Sequence, residues 1–272
     1  MSQPAHNSPI LLLAALRDEL WPTIRRLKLA RCADHFAGTC QGNAIVARIT
    51  GMGAARAAAA ARQAIEVHRP TRVILIGFSG ALSPALHVGD IVRPRWVGNM
   101  CGEVIPLSQP VGQVGNLSSP ASPPSLVGQV SNLSSEESDR LQTCPTGNDR
   151  LQTCSTLLTC DHLVCDPAEK LRLGEAHGAC IVDMETFAVA CIARETNAPL
   201  TVIRAVSDDA ATALPPAMAD WVNADGSPRV SSALFALLRR PTMLPTLLAL
   251  RRNTRAAALK LADEVVREGM SG

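Results

Sequence analysis

The chain has 272 residues, 47% of them apolar, with a formal net charge of +2. That is enough for one large α/β domain or two small ones with a full core, and it excludes a general affinity for nucleic acid. Aromatic residues make up only 3%, with no Tyr, which excludes a stacking platform for bases. The nine Cys are an odd number with no C-x-x-C pair, so they read as small apolar residues in a reducing compartment. No metal or cofactor is expected.

Residues 1–8 carry no Lys or Arg, and the apolar run Ile10 to Leu16 ends in Arg17-Asp18-Glu19, unlike a signal peptide. No apolar run reaches the roughly 18 residues of a spanning helix, and the expectation is a cytoplasmic protein. The run itself reads as a strand buried on both faces. Glu19 then stands at a strand terminus, with a helix following through Ile24 and Leu27. A hairpin follows, Phe36 to Cys40 and Ala44 to Ile49 around Gly42-Asn43. Thr50-Gly51-Met52-Gly53 opens an Ala-rich helix, Ala54 to His68. Gly51 and Gly53 between strand and helix permit close backbone approach to a ligand. The third Gly of a dinucleotide fingerprint is missing, with Arg56 in its place, which argues against a nicotinamide cofactor.

Arg72 to Ile76 is the next strand, entering a small-residue loop, Gly77-Phe78-Ser79-Gly80-Ala81-Leu82. Ile91-Val92 begins another. From about residue 99 to 153 the character changes: Val111 to Ser119 recurs almost unchanged as Val127 to Ser135, and Asp139 to Cys144 as Asp149 to Cys154. This reads as a low-complexity insertion that cannot bury a core. Order returns at Leu157 to Val164, then a helix from Pro167 to His177 stopped by Gly178. Ile181-Val182-Asp183 runs as a strand into Met184-Glu185 and a helix, placing two carboxylates where ligands bind in open α/β sheets. Leu200 to Val206 is a buried strand ending in Ser207-Asp208-Asp209, the third acidic strand terminus. The C-terminal part, 231–272, reads as two helical segments broken by Pro241 and Pro245. From Arg229 onward it carries eight Lys/Arg against three Asp/Glu, a basic amphipathic extension. Alternating strands and helices imply a three-layer α/β/α sandwich around a mixed, largely parallel sheet, spanning residues 10–230.

Five motifs now stand in order: Ala15 to Glu19, Thr50 to Gly53, Gly77 to Leu82 followed by Val88 to Val92, Val182 to Glu185, and Arg204 to Asp208. In this order and spacing the chain resembles the nucleoside phosphorylase and nucleosidase superfamily, most closely its methylthioadenosine/S-adenosylhomocysteine nucleosidase branch. The resemblance covers about residues 10 to 212, apart from the insertion. It implies a cytoplasmic homodimer in methionine salvage that hydrolyses the N-glycosidic bond of a purine nucleoside, a 5′-substituted adenosine, and releases the base. It makes Asp208 the acid that protonates the purine N7, with Ser207 beside it, and Glu19 the group that positions and deprotonates water. Glu185 would grip the ribose hydroxyls and Met184 would pack on the sugar. Phe78 and Ser79 occupy the substrate loop. Val164 would meet the base through its backbone, and Leu163 replaces the family's stacking Phe.

The residue types suit the chemistry. Glycosidic cleavage passes through an oxocarbenium-like state, helped by protonating the leaving group and delivering water to the opposite face. Asp208 must then hold a proton near neutral pH, which is expected to follow from burial and neighbouring acids. The superfamily's phosphorylases hold phosphate with Gly-Asp-Pro-x-Arg and a loop Arg, but this chain has Ala14-Ala15-Leu16 and Leu75 at those positions. Arg56 and Arg204 are the substitutes within reach. Three alternatives remain beside hydrolysis: a phosphate-dependent phosphorylase, an inactive nucleoside-binding remnant, and the branch associated with hopanoid synthesis, which releases adenine from an adenosyl-lipid. The C-terminal extension resembles that last branch and suits weak contact with a membrane surface, or it docks on the domain.

Overall fold

A computed structural model describes residues 8–108, 151–152, 156–215 and 244–269. In chain order the elements begin β1 (Ile10–Ala14), α1 (Arg17–Arg26), β2 (Ala30–Arg31), β3 (Phe36–Cys40), β4 (Asn43–Ile49), α2 (Ala54–His68) and β5 (Arg72–Ala81). They continue with β6 (Ile91–Val92), β7 (Trp96–Asn99), β8 (Val104–Pro106), β9 (Leu151–Gln152), β10 (Thr156–Thr159) and α3 (Pro167–His177). The remainder are β11 (Ile181–Asp183), α4 (Thr186–Glu195), β12 (Leu200–Asp208) and α5 (Leu244–Gly269).

The strands form one mixed sheet in which β5 is the spine. Its first half runs parallel to β1, pairing Leu12 with Ile74, and to β12, pairing Val202 with Leu75. Its second half turns to β11, antiparallel, pairing Val182 with Gly80. Alternation along these strands feeds two cores. Leu11, Leu13, Val73, Leu75 and Val202 face the Ala-rich side of α2 and the apolar side of α4. Leu12, Ile74, Ile76, Ile203 and Ala205 face Leu20 and Ile24 of α1 and Ala257, Leu261 and Val265 of α5. At about 1.5–3 kcal/mol for each large apolar side chain buried, both layers are needed to hold the sheet. The three-layer α/β/α sandwich expected from the alternation is the fold observed.

Several local expectations change. The stretch Gly77 to Ala81 is not a loop but the far half of β5, because β12 and β11 supply its hydrogen-bonding partners. Gly77 is there for space: a Cβ would stand 1.9 Å from Arg204 Nη1 and 2.9 Å from Glu19 Oε1. The start of the expected insertion overlaps the β7–β8 hairpin, with Val97 opposite Ile105; of the repeats only Leu151–Gln152, paired with β6 as β9, falls among the described residues. Of the two C-terminal helical segments expected, the first lies outside the described residues, and the second is the 26-residue α5. Pro245 falls in its first turn, where a missing N–H breaks no helical bond, while Pro241 lies outside the described residues. From Ala257 to Val265 that helix docks on the domain. Among the described residues no helix is long and apolar enough to cross a membrane. Six cysteines are free thiols, whereas Cys180 is disulfide-bonded, a departure from the reading of all nine as reduced.

Candidate active site

Three strand-to-helix or strand-to-loop junctions converge at the carboxyl edge of β1, β11 and β12. At the first, Glu19 is the third residue of α1. Its Oε2 accepts from the Leu16 N–H and its Oε1 from the Phe78 N–H, both at 2.8 Å. Burial pushes its pKa up, opposed by the nearby Arg204 guanidinium and by those backbone donors.

At the second junction two acids diverge. Asp183 caps α4 through the Thr186 N–H at 3.1 Å and takes a 2.5 Å ion pair from Arg204 Nη2. Arg204 also donates to the Thr186 hydroxyl at 2.6 Å. Asp183 is therefore consumed in holding the fold. Glu185 makes no cap with its side chain and instead accepts from the Gly53 N–H at 2.8 Å. That donor is aimed by a backbone with φ of 87° at Gly53, a conformation that glycine adopts without strain. Burial, then the neighbouring Asp183, pushes the Glu185 carboxyl up to about 7.

The third junction ends β12. A register shift between Val206 and Asp208 re-aims the strand end. The Ser207 hydroxyl donates to Asp208 Oδ1 at 2.6 Å, and the buried Lys170 Nζ bonds Oδ2 at 2.5 Å. The polar neighbours of Asp208 are thus an ammonium and a hydroxyl, not the acids expected from sequence, because α3 swings Lys170 beneath the strand end.

Glu19, Glu185 and Asp208 line a single cavity of about 160 Å³. Met184, Ser207, Phe78 and Ser79 line it too, as do Leu163 and Val164. Gly51 and Gly53 do not; Met52 between them does, and Gly53 acts through Glu185. Arg204 is taken up by Asp183 and Thr186, and the exposed Arg56 folds against Gly51, 3.2 Å from where a Cβ there would stand. Neither lines the cavity. A larger hollow of about 420 Å³ between α1 and α5 holds none of the expected site residues. Among the described residues no cluster of His, Cys, Asp and Glu suits a metal ion.

Sequence reasoning missed Lys170, His162, Met52 and Leu214. His162 lines the cavity, and its bond to Asp161 at 2.7 Å pushes its pKa up. The one signal for Lys170 was its spacing from Leu173, which puts both on the inner face of α3, while Leu171 is exposed.

A family model described as the phosphorylase superfamily matches residues 9–240. A 5′-methylthioadenosine/S-adenosylhomocysteine nucleosidase of Bacillus cytotoxicus is 26% identical over 73% of this chain and 85% of its own length. An aminodeoxyfutalosine nucleosidase of Campylobacter jejuni is 25% identical over 74% and 86%. The solved 5′-methylthioadenosine/S-adenosylhomocysteine nucleosidase of Neisseria meningitidis, in complex with methylthio-immucillin-A, superposes with a TM-score of 0.62. It is 19% identical and covers 97% of this chain and 100% of that one, which establishes likeness of fold. With the family model spanning most of its length, the chain belongs to the phosphorylase superfamily.

Proposed function

We propose that this protein hydrolyses the N-glycosidic bond of a purine nucleoside, releasing the free base. The observation that carries the reading is the meeting of Glu19, Glu185 and Asp208, distant in sequence, around one cavity. Glu19 is suited to take a proton from water, since burial raises its basicity while two backbone donors fix its aim. Glu185 is suited to grip the ribose hydroxyls and to stabilise positive charge growing on the ring. Asp208 faces the same cavity as Leu163 and Val164 and is suited to protonate the base at N7. A positioned acid or base contributes roughly 10²- to 10⁴-fold each.

Water is favoured over phosphate as nucleophile because no Lys or Arg is among the described residues that line the cavity, and burying a phosphate dianion without one is costly. The relatives' names support a 5′-substituted adenosine as substrate. The reading extends to methionine salvage by a cytoplasmic homodimer. The test incubates purified protein with methylthioadenosine, S-adenosylhomocysteine, adenosine and inosine, with and without phosphate, and assays free base. Base release independent of phosphate is expected. Release only with phosphate replaces the hydrolase with a phosphorylase, and binding without release leaves a nucleoside-binding remnant.

A further inference from the structure

Lys170 is 0% exposed and lies outside the cavity, yet its ammonium touches the group proposed to be the acid. All three of its N–H bonds have partners: Asp208 Oδ2 at 2.5 Å, the Thr212 carbonyl at 2.9 Å and the Asp209 carbonyl at 3.1 Å. With Ser207 donating to the other oxygen, Asp208 rests between two donors, an arrangement that suits a carboxylate. A carboxylate has no proton to give. The partner set resolves this, because one carboxylate and two carbonyls satisfy either form of the lysine. If one proton crosses to Oδ2, the neutral amine keeps two N–H bonds for the two carbonyls. Its new lone pair then accepts from the carboxyl O–H. No buried polar atom is stranded in either state.

We propose that Lys170 is the positioning residue that stores the proton Asp208 delivers to the leaving base. The proposal rests on the hydrolase reading above. The Lys170 Nζ–H bond breaks as the Asp208 O–H bond forms. That O–H bond breaks in turn as N7–H forms, while the electron pair of the glycosidic bond goes to the base. Water adds to the sugar carbon, its proton goes to Glu19, and exchange with solvent returns a proton to Lys170. Among the described residues the other titratable groups around the pair are Asp209, Cys165, Glu169 and His162. Asp209 holds the Val88 N–H at 2.7 Å. The Cys165 thiol has its pKa raised by burial, opposed by Lys170. Glu169 and His162 bond each other at 3.3 Å.

The test is Lys170→Met, which keeps the length of the side chain and removes the proton. With a nucleoside that the wild type cleaves, kcat should fall about 100-fold with KM within about threefold, since Lys170 does not touch substrate. The alkaline limb of kcat/KM should move to lower pH, because a carboxyl surrenders its proton before an ammonium does. A loss of rate with an unmoved alkaline limb makes Lys170 a buttress only and overturns the proposal; so does an unchanged rate. Lys170→Gln, which keeps donors for the two carbonyls, serves under the same criteria if the Met variant fails to fold. Thermal melts make a separate check that needs no turnover: Asp208→Asn should lower Tm by leaving a buried ammonium, and adding Lys170→Met should restore it. Melts that behave so in a wild type that releases no base from any nucleoside place the fault in the hydrolase reading. Melts without that recovery remove the pair itself.

Discussion

The floor and the wall of the cavity use the same residue types to opposite ends. In the floor, Asp183 lines the cavity and is tied behind it to two other buried side chains, Arg204 and Thr186. In the wall, Glu19 and Glu185 are held by backbone N–H groups, and their carboxyls are pushed up by burial. Asp183, matched with a guanidinium, serves the fold. An acid held by neutral donors keeps a protonation state that substrate and pH can change. Asp208 belongs to the wall by position and to the floor by its ammonium partner, which is why its neighbour carries so much of the chemistry.

The sharpest way to break that contrast is Asp208→Asn, expected to lower kcat by roughly 10²- to 10⁴-fold in a base-release assay. The buried Lys170 predicts a lower melting temperature as well. Next is Arg204→Met behind the floor, which strands Asp183 and should cost about 3–5 kcal/mol in denaturant unfolding. It also removes the cation that holds the Glu19 pKa down, so the acid limb of activity should move to higher pH.

Glu185→Gln should raise KM about tenfold or more by losing a charge-assisted bond to the ribose. Its stability should move the other way. The folded pKa of about 7 lies above the ordinary carboxylate value of 4.5, so burial of Glu185 is tolerated below about 4.5, penalised increasingly between there and 7, and penalised in full above 7. The Gln variant should be more stable than wild type at pH 8, by on the order of 3 kcal/mol, with the difference gone near pH 4 in paired melts. The smallest effect is expected from Leu163→Phe, which restores a ring against the base and should gain about 0.5–1.5 kcal/mol, read as a lower KM for adenine nucleosides.

Much of this was legible before the coordinates. The strand of Ile10 and the helices Ala54–His68 and Pro167–His177 declare themselves by periodicity and by Gly178 as a stop. The acids at strand ends could be found because strand ends are where such sheets bind ligands. What stayed hidden depends on contacts between distant segments. Gly77 to Ala81 looks like a loop until β11 and β12 pair with it. Asp183 and Glu185 look equivalent until Arg204 arrives from β12 to claim one of them. Lys170 reads as a solvated charge on a polar helix, and only the packing of α3 under Asp208 gives it a role.

The docking of α5 has a consequence for synthesis. Ala257, Leu261 and Val265 complete the apolar layer over Leu12, Ile74 and Ile203, so a nascent chain that has already made β1, β5 and β12 still lacks the cover for one side of them. That greasy face stays open to chaperones, or to other nascent chains, until α5 clears the ribosome. A product stalled or clipped before α5 is therefore an aggregation hazard rather than a working fragment.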